Sequence, residues 1–430
     1  MVGEQWYSDF VDRGYEPSDE DLVALFRIEP AEGVSIEEAA GRVASESSIG
    51  TWTTLTTMSE EKRRLMARVY EIEGPWVKIG YPVELFEGGN MPQILSSIAG
   101  NVFGMKAIRN LRLEDVRWPR EMLESFAGPQ FGIDGVRKIF GVKERPLTAT
   151  VPKPKVGMSS EEHARAGYEA WKGGLDLLKD DENLTGQRFN QFERRARKTF
   201  EMRDLAERET GERKSYMINV TAEAKEMVRR AELIKELGGE YVMVDILTAG
   251  WAGVQTLRDA CEDLGLAVHA HRAFHAAFTR KKEHGMSMLV VAKIARLVGV
   301  DQLHIGTVIG KLEASRREVL SIQEAITSSK VEGGERILPQ EWWDIKPVFP
   351  VSSGGLHPGL VPEILDMLGR DIIIQVGGGV WGHPDGGEAG ARAVRQAIDA
   401  ALQGISLDEY AEEHPELKRA MEKWGYTRPT

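Results

Sequence analysis

An α/β fold is predicted, with a C-terminal (β/α)8 barrel (a TIM barrel) preceded by a smaller N-terminal α+β domain. Three observations support this prediction. Eight strand-like runs recur after about residue 130, each followed by sequence with helical apolar spacing. Together they fill roughly 300 residues, which is the size of such a barrel. Polar and glycine-rich residues also collect where the runs end. A doubly wound open sheet is the alternative, and the count of eight makes it the weaker one.

The N-terminal region, residues 1–130, alternates between strand-like and helical patterns. In chain order these are a strand at Leu22–Ile28, a helix from Ser35 towards Ala44, a helix from Ser59 through Val69, a strand at Val77–Val83 and a helix from Met91. The helix after Ser35 begins with a capping box, because Glu38 follows three residues later. Strands followed by packed helices predict a small α+β domain of the ferredoxin-like kind. Turn-forming residues at 126–132 place the domain boundary there.

The barrel domain, residues 131–430, is predicted from short apolar runs bounded by turn or helix signals. In chain order the runs are Leu147–Val151, Leu175–Lys179, Ser215–Val220, Tyr241–Leu247, Ala267–His271, Gln302–Ile305, Val348–Val351 and Ile372–Val376. Residues 222–237 and 253–264 between them have helical apolar spacing. The order of the elements therefore repeats as strand and helix through the domain.

The composition is that of an ordinary globular protein: of 430 residues, 42% are hydrophobic and 28% are charged. A net charge of −12 argues against nucleic acid or an anionic membrane as a partner. The single cysteine, Cys261, excludes an internal disulfide and a cysteine-based metal site, so a cytoplasmic location is expected. We find no signal-peptide pattern and no apolar run near the roughly 20 residues that span a bilayer.

Polar or glycine-rich residues follow six of the eight runs. They are Lys153 and Lys155 after the first, Lys179, Asp181 and Glu182 after the second, His271 and Arg272 after the fifth, His304 after the sixth, Ser353 and Gly355 after the seventh, and Gly377 and Gly378 after the eighth. Barrels carry their active sites at the carboxyl ends of the strands, and the turns after strands seven and eight commonly hold phosphate. A Gly-Gly-Gly alone is more often a tight turn. The coincidence at strand ends favours an active site.

The stretch Gly173–Asn183 ends a short apolar run with a burst of charge. Asp181 and Glu182 offer carboxylate oxygens, which suit Mg²⁺. Lys179 is unsuited to a metal site as an ammonium, but becomes an oxygen ligand if its neutral amine adds CO₂ to form a carbamate. The alternative is a lysine that pairs with the neighbouring acids, since clustered charges are often structural.

These motifs make the chain resemble the large subunit of ribulose-1,5-bisphosphate carboxylase/oxygenase (Rubisco), from Phe26 to the last barrel strand. The stretch Gly173–Asn183 matches the family's activation-lysine motif. The resemblance implies carbamylation of Lys179 and ligation of Mg²⁺ by Lys179, Asp181 and Glu182. It implies addition of CO₂ to the enediolate of ribulose 1,5-bisphosphate and cleavage to two molecules of 3-phosphoglycerate. Attack of O₂ on the same carbanion is the expected side reaction.

The resemblance also implies roles for the other strand-end residues. Lys153 matches the lysine that handles the proton at C3, and His271 lies in the family's His-x-His-Arg motif. Lys311 matches the lysine on the mobile loop that steadies the new carboxylate. The substrate-binding matches are Lys155 near the carboxylated product, Arg272 and His304 at one phosphate and the nearby hydroxyls, and Ser353, Gly355, Gly377 and Gly378 at a hydroxyl and the second phosphate.

Two N-terminal segments, residues 46–52 and 100–104, match family segments that reach into the barrel of a neighbouring subunit. The resemblance implies a homodimer, or a larger assembly of dimers, with shared active sites completed in trans by Glu46, Thr51, Trp52 and Asn101. Without the resemblance, the residues favour an ordinary polar helix end at Glu46 and a turn at Asn101.

Three departures from the plant pattern indicate the archaeal form of the family, form III. They are the order Thr150-Val-Pro-Lys153, Ile305 after the histidine, and Ala314 after Leu-Glu. This form implies a role in AMP or nucleoside breakdown. Two alternatives are a Rubisco-like enolase or isomerase acting on a related phosphorylated ketose, and a phosphate-binding sensor. Retention of the substrate-binding residues and the loop lysine argues against the first, namely Lys311, Glu46, Asn101, Arg272 and Ser353. Retention of the metal ligands and of Lys153 argues against the second.

Overall fold

The computed structural model describes residues 6–309 and 315–429, which divide into two compact units. Unit 1 contains the chain up to Gly128 together with Phe274–Val298 and Ser328–Ile345. Unit 2 contains Pro129–Ala273, Gly299–Thr327 and the chain from Lys346 onward. A division into two domains at residue 130 stays a prediction. No helix of the described ranges has the length and apolar character needed to cross a membrane.

The strands and helices are numbered here in chain order. The strands are β1 Leu22–Pro30, β2 Arg68–Glu73, β3 Trp76–Tyr81, β4 Ile108–Arg117, β5 Leu147–Thr150, β6 Leu177–Lys179, β7 Ser215–Asn219, β8 Tyr241–Asp245, β9 Ala267–His271, β10 Gly285–Met286, β11 Gln302–His304, β12 Lys330–Val331, β13 Gln340–Glu341, β14 Phe349–Ser353 and β15 Ile373–Gln375. The α-helices are α1 Ile36–Glu46, α2 Glu60–Arg63, α3 Met91–Ile98, α4 Arg120–Glu124, α5 Gly132–Phe140, α6 Ser160–Lys172, α7 Phe192–Thr210, α8 Ala224–Glu236, α9 Ile246–Ala249, α10 Trp251–Leu264, α11 Ala276–Thr279, α12 Met288–Val298, α13 Arg316–Thr327, α14 Val361–Leu368, α15 Gly378–Trp381, α16 Gly387–Gln403, α17 Leu407–Ala411 and α18 Pro415–Trp424. Short 3₁₀ helices occupy Val83–Leu85, Asn101–Gly104 and Pro358–Leu360.

Unit 1 contains a sheet in the order β10-β4-β1-β3-β2. Its four long strands are antiparallel, and with α1 and α3 they follow the βαββαβ order of a ferredoxin-like fold. Phe26 of β1 lies opposite Val77 of β3 and Leu113 of β4, and all three side chains are buried. Burial of this face against the helices holds the sheet together.

The predicted helix from Ser59 through Val69 is wrong over its second half. Ser59 does cap a helix, since its Oγ accepts from the Lys62 N–H, but α2 ends at Arg63. The chain then enters β2, where Val69 pairs with Ile79 of β3. β4 was not predicted from the sequence either. Pairing within the sheet decides these segments, because strand stability depends on cross-strand neighbours more than on local propensity.

Unit 2 contains the predicted parallel barrel, closed in the order β5-β6-β7-β8-β9-β11-β14-β15. The run Ala267–His271 has the predicted bounds, whereas Tyr241–Leu247 ends early, at Asp245, where α9 begins. Inward side chains fill the interior, and Ile133, Val136 and Phe140 of α5 pack against its amino end. The opposite end of the barrel, where the strands have their carboxyl ends, is the end at which such barrels carry their active sites.

Candidate active site

The carboxyl ends of the barrel strands bring the predicted residues of unit 2 to one rim. β6 ends at Lys179, β9 at His271, β11 at His304, and β14 at Ser353. Lys153 follows β5 by three residues, and Gly377 follows β15 by two. Because parallel strands point the same way, their last residues meet at the same end of the barrel.

Lys179 is fully buried beside two carboxylates. Its Nζ donates to the Asp180 carbonyl at 2.8 Å and lies 3.9 Å from Glu182 Oε2. Burial lowers the pKa of Lys179 below its ordinary value, even though the surrounding acids oppose the shift. Within the described residues, no group of three or more His, Cys, Asp or Glu side chains is arranged to hold a metal ion.

The pKa values of Asp181 and Glu182 are lowered, although the burial of Asp181 and the partial burial of Glu182 by themselves raise them. For Asp181 the backbone and side-chain N–H groups of Asn183, at 3.1 and 3.0 Å from Oδ1, outweigh burial. For Glu182, His271 and Lys179 outweigh burial whenever they carry their protons. Both carboxylates are thus held ionised, the form that binds a cation.

Asp180, between Lys179 and Asp181, points the other way, into a fully buried polar cluster. Arg195 of α7 donates to its Oδ2 through Nη2 at 3.0 Å, and the Asn219 N–H donates to the same oxygen at 3.0 Å. Tyr216 OH makes a short hydrogen bond to Oδ1, and His163 Nε2 lies 3.1 Å from that atom. Burial raises the pKa of Asp180, but the Arg195 charge and these hydrogen bonds bring it well below the ordinary value. The cluster anchors the backbone of Asp180, and with it the positions of its two neighbours, Lys179 and Asp181.

Lys153 reaches the same acids from β5. Its Nζ donates to Asp181 Oδ2 at 3.2 Å, and its side chain remains 38% exposed. A Cβ at Gly377 would lie 3.3 Å from Lys153 Cε, so the absence of a side chain at Gly377 makes space for the Lys153 side chain. A partly exposed ammonium beside the Asp181 carboxylate suits proton transfer at the rim.

His271 lies between two carboxylates. Its Nε2 is 3.7 Å from Glu182 Oε2, and its Nδ1 is 3.6 Å from Asp245 Oδ1. Burial, followed by the charge of Lys179, lowers the pKa of His271. Asn219 Nδ2 approaches Asp245 Oδ2 at 3.4 Å and the Glu182 carbonyl at 3.3 Å. Asn219 and Asp245 were not predicted as site residues. Each is the last residue of its strand, which is the signal that could have identified them.

Arg272 follows directly after β9 and is almost entirely buried. Burial lowers its pKa to about 10, so the guanidinium keeps its charge at neutral pH. Gly306 has φ of +89°, and a Cβ there would lie 2.7 Å from Arg272 Nη2. Glycine is therefore required twice at this position, for the backbone angle and for the close approach.

His304 connects the rim to the barrel interior. Its Nδ1 is 2.8 Å from Ser353 Oγ, and its Nε2 is 2.9 Å from His269 Nε2. His269 Nδ1 in turn lies 2.7 Å from Gln302 Oε1. Gln302 is a further residue that the sequence analysis did not select.

The remaining predicted residues of unit 2 lie in open or glycine-rich positions. Lys155 is exposed. Gly355 has φ of +71°, which favours glycine, and a Cβ at Gly378 would meet no atom within 4 Å. Gly378 opens α15, and the space beside it admits a ligand to the backbone. Lys311 lies outside the described residues.

The four residues predicted to act in trans belong to unit 1. Asn101 Nδ2 donates to Glu46 Oε1 at 3.2 Å, and both side chains are exposed. The Thr51 carbonyl accepts from Trp6 Nε1 at 2.9 Å. Trp52 is 77% exposed, which is unusual for so large an apolar side chain. Three of the four side chains, those of Glu46, Trp52 and Asn101, are thus exposed on unit 1, and Thr51 is half-buried.

Comparison with known proteins gives consistent matches along the chain. Residues 9–122 match the family description "Ribulose bisphosphate carboxylase large chain, N-terminal domain", and residues 132–424 match "Ribulose bisphosphate carboxylase large chain, catalytic domain". The ribulose bisphosphate carboxylase of Pyrococcus abyssi is 54% identical over 429 residues, covering 99% of this chain and 98% of that protein.

Two solved structures are also similar. The dimeric archaeal Rubisco of Hyperthermus butylicus has a TM-score of 0.94 and 53% identity, covering 98% of this chain and 100% of that one. The octameric Rubisco of Pyrococcus horikoshii, in complex with sulfate, has a TM-score of 0.93 and 54% identity, covering 99% and 98%.

Proposed function

This chain belongs to the ribulose bisphosphate carboxylase (Rubisco) large-chain family, and on that premise we infer that it is a ribulose bisphosphate carboxylase of the archaeal type. It is a carbon–carbon lyase that adds CO₂ to the enediolate of ribulose 1,5-bisphosphate and cleaves the product to two molecules of 3-phosphoglycerate. The observation that carries the assignment at the level of the site is the fully buried Lys179, with a lowered pKa, beside Asp181 and Glu182.

We propose that Lys179, Asp181 and Glu182 hold Mg²⁺ after Lys179 has formed a carbamate with CO₂. The residues fit this group in two ways. Two ionised carboxylates supply hard oxygen ligands, and the lowered pKa of Lys179 favours the neutral amine that reacts with CO₂. Carbamylation would add an oxygen ligand from Lys179 to those of the two carboxylates. Mg²⁺ held there would stabilise the negative charge that develops when C3 of the substrate loses its proton.

Lys153 is the proposed proton-transfer group of the chain. It follows β5, and its Nζ is 3.2 Å from Asp181 Oδ2, so it reaches the proposed metal ligands from the neighbouring strand. His271, whose lowered pKa favours the neutral imidazole, can accept a proton or a hydrogen bond beside Glu182. Lys311 is proposed, from the family motif alone, to offset the charge of the new carboxylate.

Substrate binding is proposed for the basic and glycine-rich rim. Arg272 offers a buried, charged guanidinium for one phosphate, and His304 and Ser353 lie beside it for hydroxyls. Gly355, Gly377 and Gly378 offer backbone N–H groups for the second phosphate. Lys155 is exposed and free to contact the carboxylated product.

The active sites are proposed to be shared within a homodimer or an assembly of dimers. The similar solved proteins include a dimer and an octamer. Glu46, Thr51, Trp52 and Asn101 of one subunit would complete the barrel site of the other. Exposure of Trp52 supports this, because a partner surface would remove it from water. A cytoplasmic location, oxygenation as a side reaction, and a role in AMP or nucleoside breakdown complete the proposal.

One assay tests the assignment. The protein is incubated with CO₂ and Mg²⁺, then given ribulose 1,5-bisphosphate and labelled bicarbonate. Label in 3-phosphoglycerate is the expected result. Exchange of the C3 proton without labelled product would instead indicate an enolase or isomerase, and binding of the substrate without either reaction would indicate a sensor. The Lys179→Arg protein is the matched control, since it keeps the charge but cannot form the carbamate.

A further inference from the structure

Five side chains of unit 2 form one continuous hydrogen-bonded series from the barrel interior to the rim. They are, in order, Tyr241, Gln302, His269, His304 and Ser353. Gln302 Nε2 donates to Tyr241 OH at 2.8 Å, and Gln302 Oε1 lies 2.7 Å from His269 Nδ1. His269 Nε2 and His304 Nε2 are 2.9 Å apart, and His304 Nδ1 is 2.8 Å from Ser353 Oγ. We call this set the histidine relay.

Burial favours the neutral form of both histidines of the relay. His269 is 0% exposed and His304 is 2% exposed. Burial lowers the pKa of each well below the ordinary value, and the nearby positive charges act in the same direction. A neutral imidazole carries one N–H and one lone pair, so the hydrogen bond on one side of the ring dictates the role of the other nitrogen.

The direction of the relay follows from one atom. Gln302 Oε1 is a carbonyl oxygen and can only accept, so His269 carries its hydrogen on Nδ1. His269 Nε2 is then an acceptor, and the hydrogen between the two rings belongs to His304 Nε2. His304 Nδ1 is left as an acceptor, and the hydrogen of the Ser353 hydroxyl must point towards it.

We propose that Gln302 is a positioning residue that sets the tautomers of His269 and His304, and through them the orientation of the Ser353 hydroxyl. With its hydrogen committed to His304, Ser353 Oγ presents lone pairs to the rim. It therefore accepts from a hydroxyl of the sugar phosphate and discriminates against a phosphate oxygen, which has no hydrogen to offer at neutral pH. The identity of this ligand rests on the proposed function; the direction of the relay does not.

The first test reads the tautomers directly, without substrate. The full-length protein is labelled at histidine with ¹³C and ¹⁵N, and the two-bond couplings and the Cδ2 shift of each ring distinguish the Nδ1–H form from the Nε2–H form. The proposal requires Nδ1–H at His269 and Nε2–H at His304. The opposite pair of tautomers, or imidazolium at either ring, would overturn it.

The second test asks whether Gln302 acts through Ser353. Gln302→Met keeps the length of the side chain but removes the carbonyl acceptor, so His304 should gain a population of the Nδ1–H form. The KM for ribulose 1,5-bisphosphate should rise roughly tenfold, which corresponds to the free energy of about one hydrogen bond. The kcat should change little. Ser353→Ala should raise KM by a similar factor, and the double variant should be no worse than either single one.

A matched cycle provides the control. Lys155 is exposed and lies outside the relay, so Gln302→Met and Lys155→Ala should multiply their effects on KM. If the effects of Gln302→Met and Ser353→Ala on KM also multiplied in the double variant, Gln302 would have only a structural role. That result would overturn the proposal. If the unsubstituted protein fixed no labelled bicarbonate, the proposed function would fail, while the tautomer measurement would still decide the direction of the relay. The same measurement decides it if Gln302→Met does not fold.

Discussion

Arg195 and Asp180 form an ion pair in which both side chains are 0% exposed, with Arg195 Nη2 3.0 Å from Asp180 Oδ2. Asp180 lies between Lys179 and Asp181, so the pair ties the backbone of two proposed metal ligands to α7. The pair also explains how Lys179 and Asp181 can share the rim: the residue between them turns back into the protein, where its charge is neutralised.

We expect Asp180→Ala to destabilise the protein by about 3–5 kcal/mol, because it leaves the Arg195 charge buried without its partner. The free energy of unfolding in urea measures this. Tyr216→Phe, which removes one hydrogen bond to the same carboxylate, should cost less, about 1.5–3 kcal/mol. The double variant Asp180→Ala, Arg195→Met should recover part of the loss. An Asp180→Ala protein as stable as its parent would contradict the role given to this pair.

The Asp180 carboxylate should also make the free energy of unfolding depend on pH in the acid range. The folded-state pKa of Asp180 lies well below the ordinary value of about 3.9, so its ionised form stabilises the folded protein above that value. The contribution should fall away as the pH drops below about 4 towards the folded pKa. The difference in unfolding free energy between the parent and Asp180→Asn should therefore shrink over that range. A difference that stays constant from neutral pH to pH 3 would argue against it.

Activation by CO₂ should follow the protonation of Lys179. Only the neutral amine reacts with CO₂, and burial lowers the pKa of Lys179. At a fixed concentration of dissolved CO₂, the rate of activation should rise with pH and level off below the ordinary lysine value of about 10.4. The measurement is the initial carboxylation rate after timed exposure to CO₂ and Mg²⁺. Lys179→Arg should be folded and inactive at every pH, and substantial turnover by it would exclude the carbamate.

Mixed dimers test the shared active site. Glu46→Gln and Lys179→Ala chains should each be nearly inactive alone, because every site then lacks one component. When the two are co-expressed and the hybrid is purified with two different tags, one of its two sites should be sound. Because one of the two sites in each hybrid dimer is intact, the carboxylation rate per dimer should recover to about half of the parental value. Verified hybrids without recovered activity would mean that Glu46 serves no neighbouring barrel.

The two lysines proposed for different steps can be separated by isotope exchange. Lys311→Ala should still exchange the C3 proton of ribulose 1,5-bisphosphate with solvent, because its ammonium is needed only after CO₂ has become a carboxylate. Lys153→Ala should lose both exchange and carboxylation. Deuterium wash-in at C3 and label fixed from bicarbonate are measured on the same preparations. Equal loss of both activities in Lys311→Ala would place Lys311 before the addition of CO₂.

The local features of the chain were predictable from its sequence. Ser35 caps α1 as predicted, with Oγ accepting from the Glu38 N–H at 3.1 Å, although the Glu38 side chain pairs with Arg42 and does not complete the capping box. β9 has the predicted bounds, and Lys179 ends β6 with Asp181 and Glu182 directly beyond it, as expected. Such features depend on residues a few positions apart, and the βα repeat carries strand-end residues to one rim without further information. The roles of Lys153, Lys311 and the trans residues came from family resemblance and remain to be measured.

The tertiary structure decided what depends on distant partners. β2 forms where helix was predicted, because Val69 finds Ile79 across the sheet. Asp180 meets Arg195 fifteen residues away, and Gln302 meets His269 thirty-three residues away. No local pattern marks these pairs, since the packing of a helix on its strand and the pairing of neighbouring strands bring them together. Closure also removes water from Lys179 and the relay histidines, and it is this burial that lowers their pKa values. The sequence by itself thus determined which chemical groups stand at the rim, and the packed barrel determined their protonation and direction.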